Sequence, residues 1–323
     1  MVVIDRRSWA ERKRASLDLE PEQPLARAMA PLSAVWASGA RLSRILRPDR
    51  PLPGGIPSLG VGNLRVGGCG KTPVVDDLGR RLMAEGEKVA VLTRGYRAGQ
   101  GGDEPDWLRD SGLAVFADVD RSRAFTQAQA WGATRILLDD ALQTRHRPRW
   151  TVALVLDRDV ARAPRPLPAG PAREGSSGLD RADAVLVRRE SGQRNDGAFG
   201  FRLAPEAIVD ATGVEMAPPS GPGILFSGLA RPESFEADAR AFGLDFVASW
   251  RESDHWDPGP ANASAIEACA RRHEAQWILV PEKNLRRMAS LDLSFPVAAL
   301  RSAVEWDDRI DPLDWLRQRG IAI

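Results

Sequence analysis

The chain has 323 residues, 43% of them hydrophobic and 28% charged, the balance of a globular protein of about two domains and not of a disordered one. Its 45 basic and 44 acidic side chains leave a formal net charge of +1, which argues against a protein built mainly to coat nucleic acid. Two distant cysteines (Cys69, Cys269) make no disulfide framework and fit a reducing compartment, and three histidines (His146, His255, His273) without His or Cys neighbours at ligand spacing argue against structural zinc.

Residues 1–23 are charged, weakly patterned and read as a loose arm without the apolar core of a signal peptide. The spacing of Leu32, Val35, Trp36, Gly39, Leu42 and Leu46 predicts a helix over 24–47. Arg41, Arg44 and Arg47 follow at i+3 on another face, and the segment holds four arginines and no acid. Such a helix either packs on its domain with solvated arginines or lies on an anionic membrane surface, and the pattern leaves both open. No apolar run approaches the ~18 residues of a membrane span.

After the Pro/Gly stretch at 48–57, strands are predicted at 57–62, 88–93, 113–117, 135–139, 151–156 and 183–188, with helices at 71–85 and 121–131. Short apolar runs alternating with helical patterns predict an α/β fold with a mostly parallel sheet covered on both faces. The segment 163–178, rich in Pro, Gly and Ser, reads as an ordered loop. The turn-rich run Ala217–Gly223 marks a second break. Beyond it, strands at 224–227, 245–249, 276–280 and 296–300 and helices at 232–242, 261–273 and 310–319 predict a second, smaller α/β domain. The expected organisation is an arm and surface helix over 1–50, a phosphate-loop core over 51–217 and a C-terminal domain over 218–323.

The strongest chemical signal is Gly62-Asn-Leu-Arg-Val-Gly-Gly-Cys-Gly-Lys-Thr72, between a predicted strand and a predicted helix. Gly67, Gly68 and Gly70 let backbone N–H groups turn toward phosphate oxygens; Lys71 would reach the β- and γ-phosphates and the Thr72 hydroxyl would bind Mg²⁺. The general pattern has glycine where this chain has Arg65. Downstream, Ile136-Leu-Leu-Asp-Asp140 places Asp139 and Asp140 at a strand end, where a second Mg²⁺ contact is expected. Gly102-Asp-Glu-Pro105 offers carboxylates from a turn, one of them a candidate general base. Ser253-Asp-His-Trp-Asp257 flanks His255 with acids that bias its charge.

Taken in order, these runs resemble the tetraacyldisaccharide 4'-kinases, which phosphorylate the lipid A precursor. The resemblance runs from about Pro31 to the C-terminus and includes Val61-Gly-Asn-Leu64, Val66-Gly-Gly68 with Gly70-Lys-Thr-Pro73, Arg94-Gly-Tyr96, Asp120-Arg121, Leu167-Pro-Ala-Gly-Pro171, Arg173-Glu174, Phe226-Ser-Gly-Leu229 and Glu282-Lys283. It implies a P-loop NTPase-like fold and transfer of the ATP γ-phosphate to a sugar 4'-hydroxyl of tetraacyldisaccharide 1-phosphate. Lys71 and Thr72 would hold ATP and Mg²⁺, with Asp139 and Asp140 supporting the metal and phosphates. Asp103 would be the base, paired with His255, while Glu104, Arg121 and Glu174 would help place substrate or phosphates. The basic helix would dock on the cytoplasmic face of the inner membrane, where the acylated substrate lies. No nucleic acid and no obligate protein partner are expected.

The chain departs from the family in four places. Asp139-Asp-Ala-Leu-Gln-Thr144 lacks the family's glycine and histidine at positions 141 and 144, although His146 lies two residues on. Arg65 replaces a small hydroxyl residue, Asn284 stands in place of Asp, and the segment between Tyr96 and Asp103 is short. These features define the competing expectations: a non-catalytic nucleotide-binding paralogue at the membrane, or a phosphate-loop kinase with another acceptor.

Overall fold

The structure is a computed structural model describing residues 1–8, 10–12, 15, 24–46, 48–94, 103–190, 198–254, 256 and 260–323. Arg47, Gly95, Tyr96, Gly102 and His255 lie outside the described residues. The chain divides into two compact units: Arg14–Leu203 with Val304–Ile323, and Met1–Lys13 with Ala204–Ala303.

The larger unit is a parallel sheet with strand order Ala184–Arg188, Trp150–Leu156, Ser58–Asn63, Arg135–Asp139, Val89–Thr93 and Ala114–Ala117. Strand residues alternate between two cores, as the two-residue pleat requires. Leu59, Val61, Val91 and Leu137 face Val74, Val75, Leu78 and Leu82 of the helix Lys71–Ala84. Ala90, Leu92, Ile136 and Leu138 face Ala124, Phe125 and Ala128 of the helix Arg121–Trp131. Both faces are therefore apolar, which explains why these strands read as nearly continuous hydrophobic runs. The Asp120 carboxylate caps the second helix at the Ser122 N–H, and Gly132, with φ at 87°, ends it.

The smaller unit repeats the scheme with parallel strands in the order Val2–Asp5, Phe246–Glu252, Gly223–Gly228, Trp277–Pro281 and Val297–Trp306. The helices Pro260–Arg272 and Glu282–Ala289 supply Ile266, Cys269, Leu285 and Met288 to one core, and Pro232–Ala241 supplies Phe235 and Ala239 to the other.

Three expectations need correction. Residues 2–5 are an edge strand in register with Ala248–Arg251, because three β-branched residues favour pairing over a loose arm. The division falls after Leu203, inside the extended strand Gly200–Val209, and not at the turn-rich run beginning at 217. Residues 304–323 return to the larger unit, where Trp306 and Trp315 stack on Phe199 at centroid distances of 5.6 and 4.7 Å. The helices Asp103–Asp110 and Glu282–Ala289 appear where no helix was predicted.

The basic segment forms two helices, Pro24–Ala28 and Ala30–Leu46. Ser33 is the buried residue of the longer one, and Val35, Ile45 and Leu46 are 70%, 68% and 71% exposed. Among the described residues, no helix is long and apolar enough to cross a membrane.

Candidate active site

The site starts from the strand Ser58–Asn63, whose six residues are all buried between the strands Arg135–Asp139 and Trp150–Leu156. Glycine is required at two of its positions. A methyl on Gly60 would lie 2.3 Å from Ala141 Cβ, and one on Gly62 would lie 2.5 Å from the Leu142 backbone nitrogen. The segment Asp139–Gln143 thus crosses directly over this strand, held by the Ala141 N–H to Val61 O bond of 3.0 Å. Ala141, the departure from the family's glycine, fits because Gly60 leaves the space.

The loop after this strand has left-handed backbone at Gly67, Gly68 and Gly70 (φ 75°, 69° and 81°), which glycine adopts without steric cost. Gly70 is the N-cap of the helix Lys71–Ala84 and itself offers no side-chain cap to the first N–H groups. The first-turn amides and the positive helix end make this an anion-receiving terminus. Arg188 at the end of its strand donates from Nη1 to Gly68 O at 2.5 Å, bracing the outside of the loop.

The predicted phosphate and metal residues converge here. Lys71 Nζ donates to Asn63 Oδ1 at 3.0 Å and lies 3.5 Å from Asp140 Oδ1. Asn63 is fully buried, and because its oxygen must face the ammonium, its Nδ2 is left without a protein partner among the described residues. Thr72 Oγ1 donates to Asp139 Oδ2 at 3.1 Å, with both residues buried.

Asp140 sits in the left-handed region at φ 61°, which Asp tolerates better than most residues. Arg173 Nη1 lies 3.0 Å from both of its oxygens and 2.8 Å from Gln143 Oε1. Burial would raise the Asp140 pKa, but the Lys71 and Arg173 cations outweigh it and hold the carboxyl below its usual value of 3.8. Asp140 is therefore a fixed anion and not a proton acceptor near neutral pH. Gln143 Nε2 in turn donates to Asn63 O at 2.8 Å and to Glu174 Oε1 at 3.2 Å.

Arg121 and Glu174 extend this centre, and His146 lies beside Arg121. Arg121 is buried behind the acids, its Nη2 3.2 Å from the Asp139 carbonyl oxygen. Glu174 accepts from Arg181 at 2.6 Å and from Arg44 at 3.2 Å, so Arg44 is held by the domain and not free on the basic face. Asp103 and Glu104 open the helix Asp103–Asp110. His146 pairs with Asp120 at 3.4 Å; burial depresses its pKa, Asp120 opposes, and the Arg121, Arg145 and Arg50 cations add to the depression. In the smaller unit Asp254 accepts from Lys283 at 2.9 Å, and Asn284 Oδ1 accepts from the Gly228 N–H at 3.0 Å, a bond an aspartate oxygen would also make.

Sequence reasoning assigned no role to Asn63, Gln143, Arg173 or Arg188. Asn63 and Arg173 lie inside runs that carried the resemblance, and Gln143 lies in the run that departs from it, so a signal existed. Nothing in the sequence marked Arg188.

The sequence pattern of the tetraacyldisaccharide-1-P 4'-kinase family matches residues 25–319. The tetraacyldisaccharide 4'-kinase of Phenylobacterium zucineum is 33% identical over 308 residues, covering 87% of this chain and 89% of that protein. That of Methylorubrum extorquens is 32% identical over 321 residues, covering 89% and 92%. The crystal structure of LpxK from Aquifex aeolicus in complex with ATP matches the fold with a TM-score of 0.68 at 21% identity, covering 92% of this chain and 98% of that one. The chain belongs to the tetraacyldisaccharide-1-P 4'-kinase family, phosphotransferases of lipid A biosynthesis.

Proposed function

We propose that this chain uses MgATP to phosphorylate the 4'-hydroxyl of tetraacyldisaccharide 1-phosphate, working from the cytoplasmic face of the bacterial inner membrane. One observation carries the nucleotide half: below a loop with three left-handed glycines, Lys71 faces Asn63 and Asp140 while Thr72 meets Asp139. Lys71 would leave these partners for the β- and γ-phosphates. The Asn63 amide and the loop N–H groups would donate to phosphate oxygens. Arg173 would keep Asp140 in place as Lys71 moves.

The donor set fits Mg²⁺. A hydroxyl and a carboxylate 3.1 Å apart are hard oxygen ligands, and Mg²⁺ in phosphate sites takes few protein ligands beside phosphate oxygens and water. When bound, the ion supplies charge neutralisation for the transferring phosphoryl group. Thr72 and Asp139 would hold it, and Arg121 keeps the Asp139 backbone fixed.

Asp103 is proposed as the base that accepts the proton of the 4'-hydroxyl, with His255 assisting and Glu104 and Glu174 helping to place the substrate. These roles rest on the resemblance. Most of the acceleration would come from positioning and electrostatics, since phosphoryl transfer asks for little covalent chemistry from the protein.

Membrane docking rests on the helix Ala30–Leu46. Leu32, Val35, Leu42, Ile45 and Leu46 are each more than half exposed, an apolar stripe suited to burial at the headgroup boundary. Ser33 and Trp36 anchor its other side, donating to Pro166 O at 2.9 Å and Arg173 O at 2.8 Å. The test is transfer of labelled γ-phosphate from ATP to tetraacyldisaccharide 1-phosphate in detergent micelles. Transfer should vanish with Lys71→Ala; absent transfer with nucleotide binding intact would defeat the proposal.

A further inference from the structure

Arg65 stands in the phosphate loop where the family has a small hydroxyl residue, yet its side chain is only 5% exposed. Its Nη1 lies 2.9 and 2.8 Å from the two carboxylate oxygens of Asp159, a side chain 8% exposed. Asp159 belongs to the helix Asp157–Ala161, which begins where the strand Trp150–Leu156 ends, next to the loop's own strand. On the backbone side, Val66 N–H donates to Pro171 O at 2.9 Å and Arg173 N–H donates to Leu64 O at 2.7 Å. Residues 64–66 are thus gripped twice, by main-chain bonds to 171–173 and by the Arg65 side chain.

The three glycines that follow are the part of the loop with the most conformational freedom to lose. If ATP had to order them, that loss would be subtracted from its binding free energy. A loop fixed beforehand avoids the subtraction. The pair is suited to such fixing, because a buried charge without its partner is strongly unfavourable and the two side chains hold each other in one arrangement. The same reason keeps Arg65 from turning to a phosphate, because it would leave both Asp159 bonds behind.

We infer that Arg65 and Asp159 form a positioning pair that fixes the phosphate loop in its nucleotide-receiving shape before ATP arrives. The pair sets ATP affinity and leaves the transfer rate at saturation unchanged. This inference rests on the reading of the loop as the ATP site.

The test uses the full chain and a fluorescent ATP analogue without lipid, with Lys71→Ala as the control. Wild type should bind, and Asp159→Asn should weaken binding by about tenfold or more. Arg65→Lys, which keeps the charge but not the planar guanidinium, should fall between them. The exchanged pair, Arg65→Asp with Asp159→Arg, should recover affinity to within about threefold of wild type. In turnover assays, KM for ATP should rise in the single variants while kcat stays within about threefold. A wild type that binds no analogue would remove the ATP-site reading itself. Binding by Asp159→Asn equal to wild type, despite a lowered melting temperature, would overturn the positioning role and leave a structural one. An exchanged pair that folds, by circular dichroism, but does not regain affinity would also overturn it, because Arg65 would then act on the phosphates directly. Should Asp159→Asn fail to fold, Arg65→Lys and the exchanged pair decide the matter.

Discussion

Thr72 Oγ1 donates to Asp139 Oδ2 across 3.1 Å, joining the first turn of the phosphate helix to the end of the neighbouring strand. A carboxylate held this way keeps its position without a long side chain to order. Asp139→Asn preserves shape and an acceptor oxygen but removes the charge. We expect kcat to fall roughly 10²-fold or more and the Mg²⁺ concentration for half-maximal activity to rise. Titration of Mg²⁺ in the transfer assay checks this; an unchanged Mg²⁺ response would remove Asp139 from the metal site.

Asp103→Ala should lower kcat by roughly 10²–10⁴-fold while ATP still binds. Single-turnover kinetics beside a nucleotide-binding isotherm separates the two effects. A normal rate would show that the base is elsewhere.

The apolar stripe on the helix Ala30–Leu46 should decide membrane attachment. Val35→Asp with Leu42→Asp places charge on two side chains that are 70% and 55% exposed, so folding should be unaffected. Co-sedimentation with anionic vesicles should drop several-fold, by about the loss expected for burying two charges at the headgroup boundary. ATP affinity should not change. Equal sedimentation of the variant would mean that another surface attaches the protein.

Gly62→Ala tests the close crossing of the acidic segment over its strand. The added methyl meets backbone at 2.5 Å, and main chain does not yield cheaply. A destabilisation of about 1–3 kcal/mol is expected. Urea denaturation measures it, and a neutral result would contradict the crossing.

Acid should unfold the protein partly through Asp140. Its folded pKa is below 3.8, so its stabilising contribution is present above 3.8 and is lost as pH falls through the folded value. Asp140→Asn should therefore show a shallower loss of stability below about pH 4. Denaturation curves collected across that range for both proteins supply the comparison.

Much of the catalytic unit was legible because its signals are local. The loop from Gly62 to Thr72 carries its own turn glycines, and the strands of its sheet are short, mostly apolar runs. Both features act over a few residues. The ring around Asp140 was not legible in the same way: Arg173 reaches Gln143 from 30 residues away and Asp140 from 33, and only the parallel sheet brings them together. The strand Val2–Asp5 finds its partner in Phe246–Glu252, and no short window contains both. The division between units was misplaced for a related reason. Turn residues mark where a chain bends, whereas the boundary falls within the extended strand Gly200–Val209.

The return of residues 304–323 to the larger unit bears on how this protein is made. Trp306 Nε1 donates to Asp77 at 2.8 Å, Arg81 meets Asp311 at 2.8 Å, and Leu313, Trp315 and Ile321 are buried in the core beneath the phosphate helix. A nascent chain that has emerged only as far as Ala303 has every strand that precedes this segment but leaves that core open. The nucleotide-binding half, although its strands are synthesised early, is completed last. A chain that stops short of Trp306 has the phosphate loop intact in sequence but leaves the helix that supports it without these contacts.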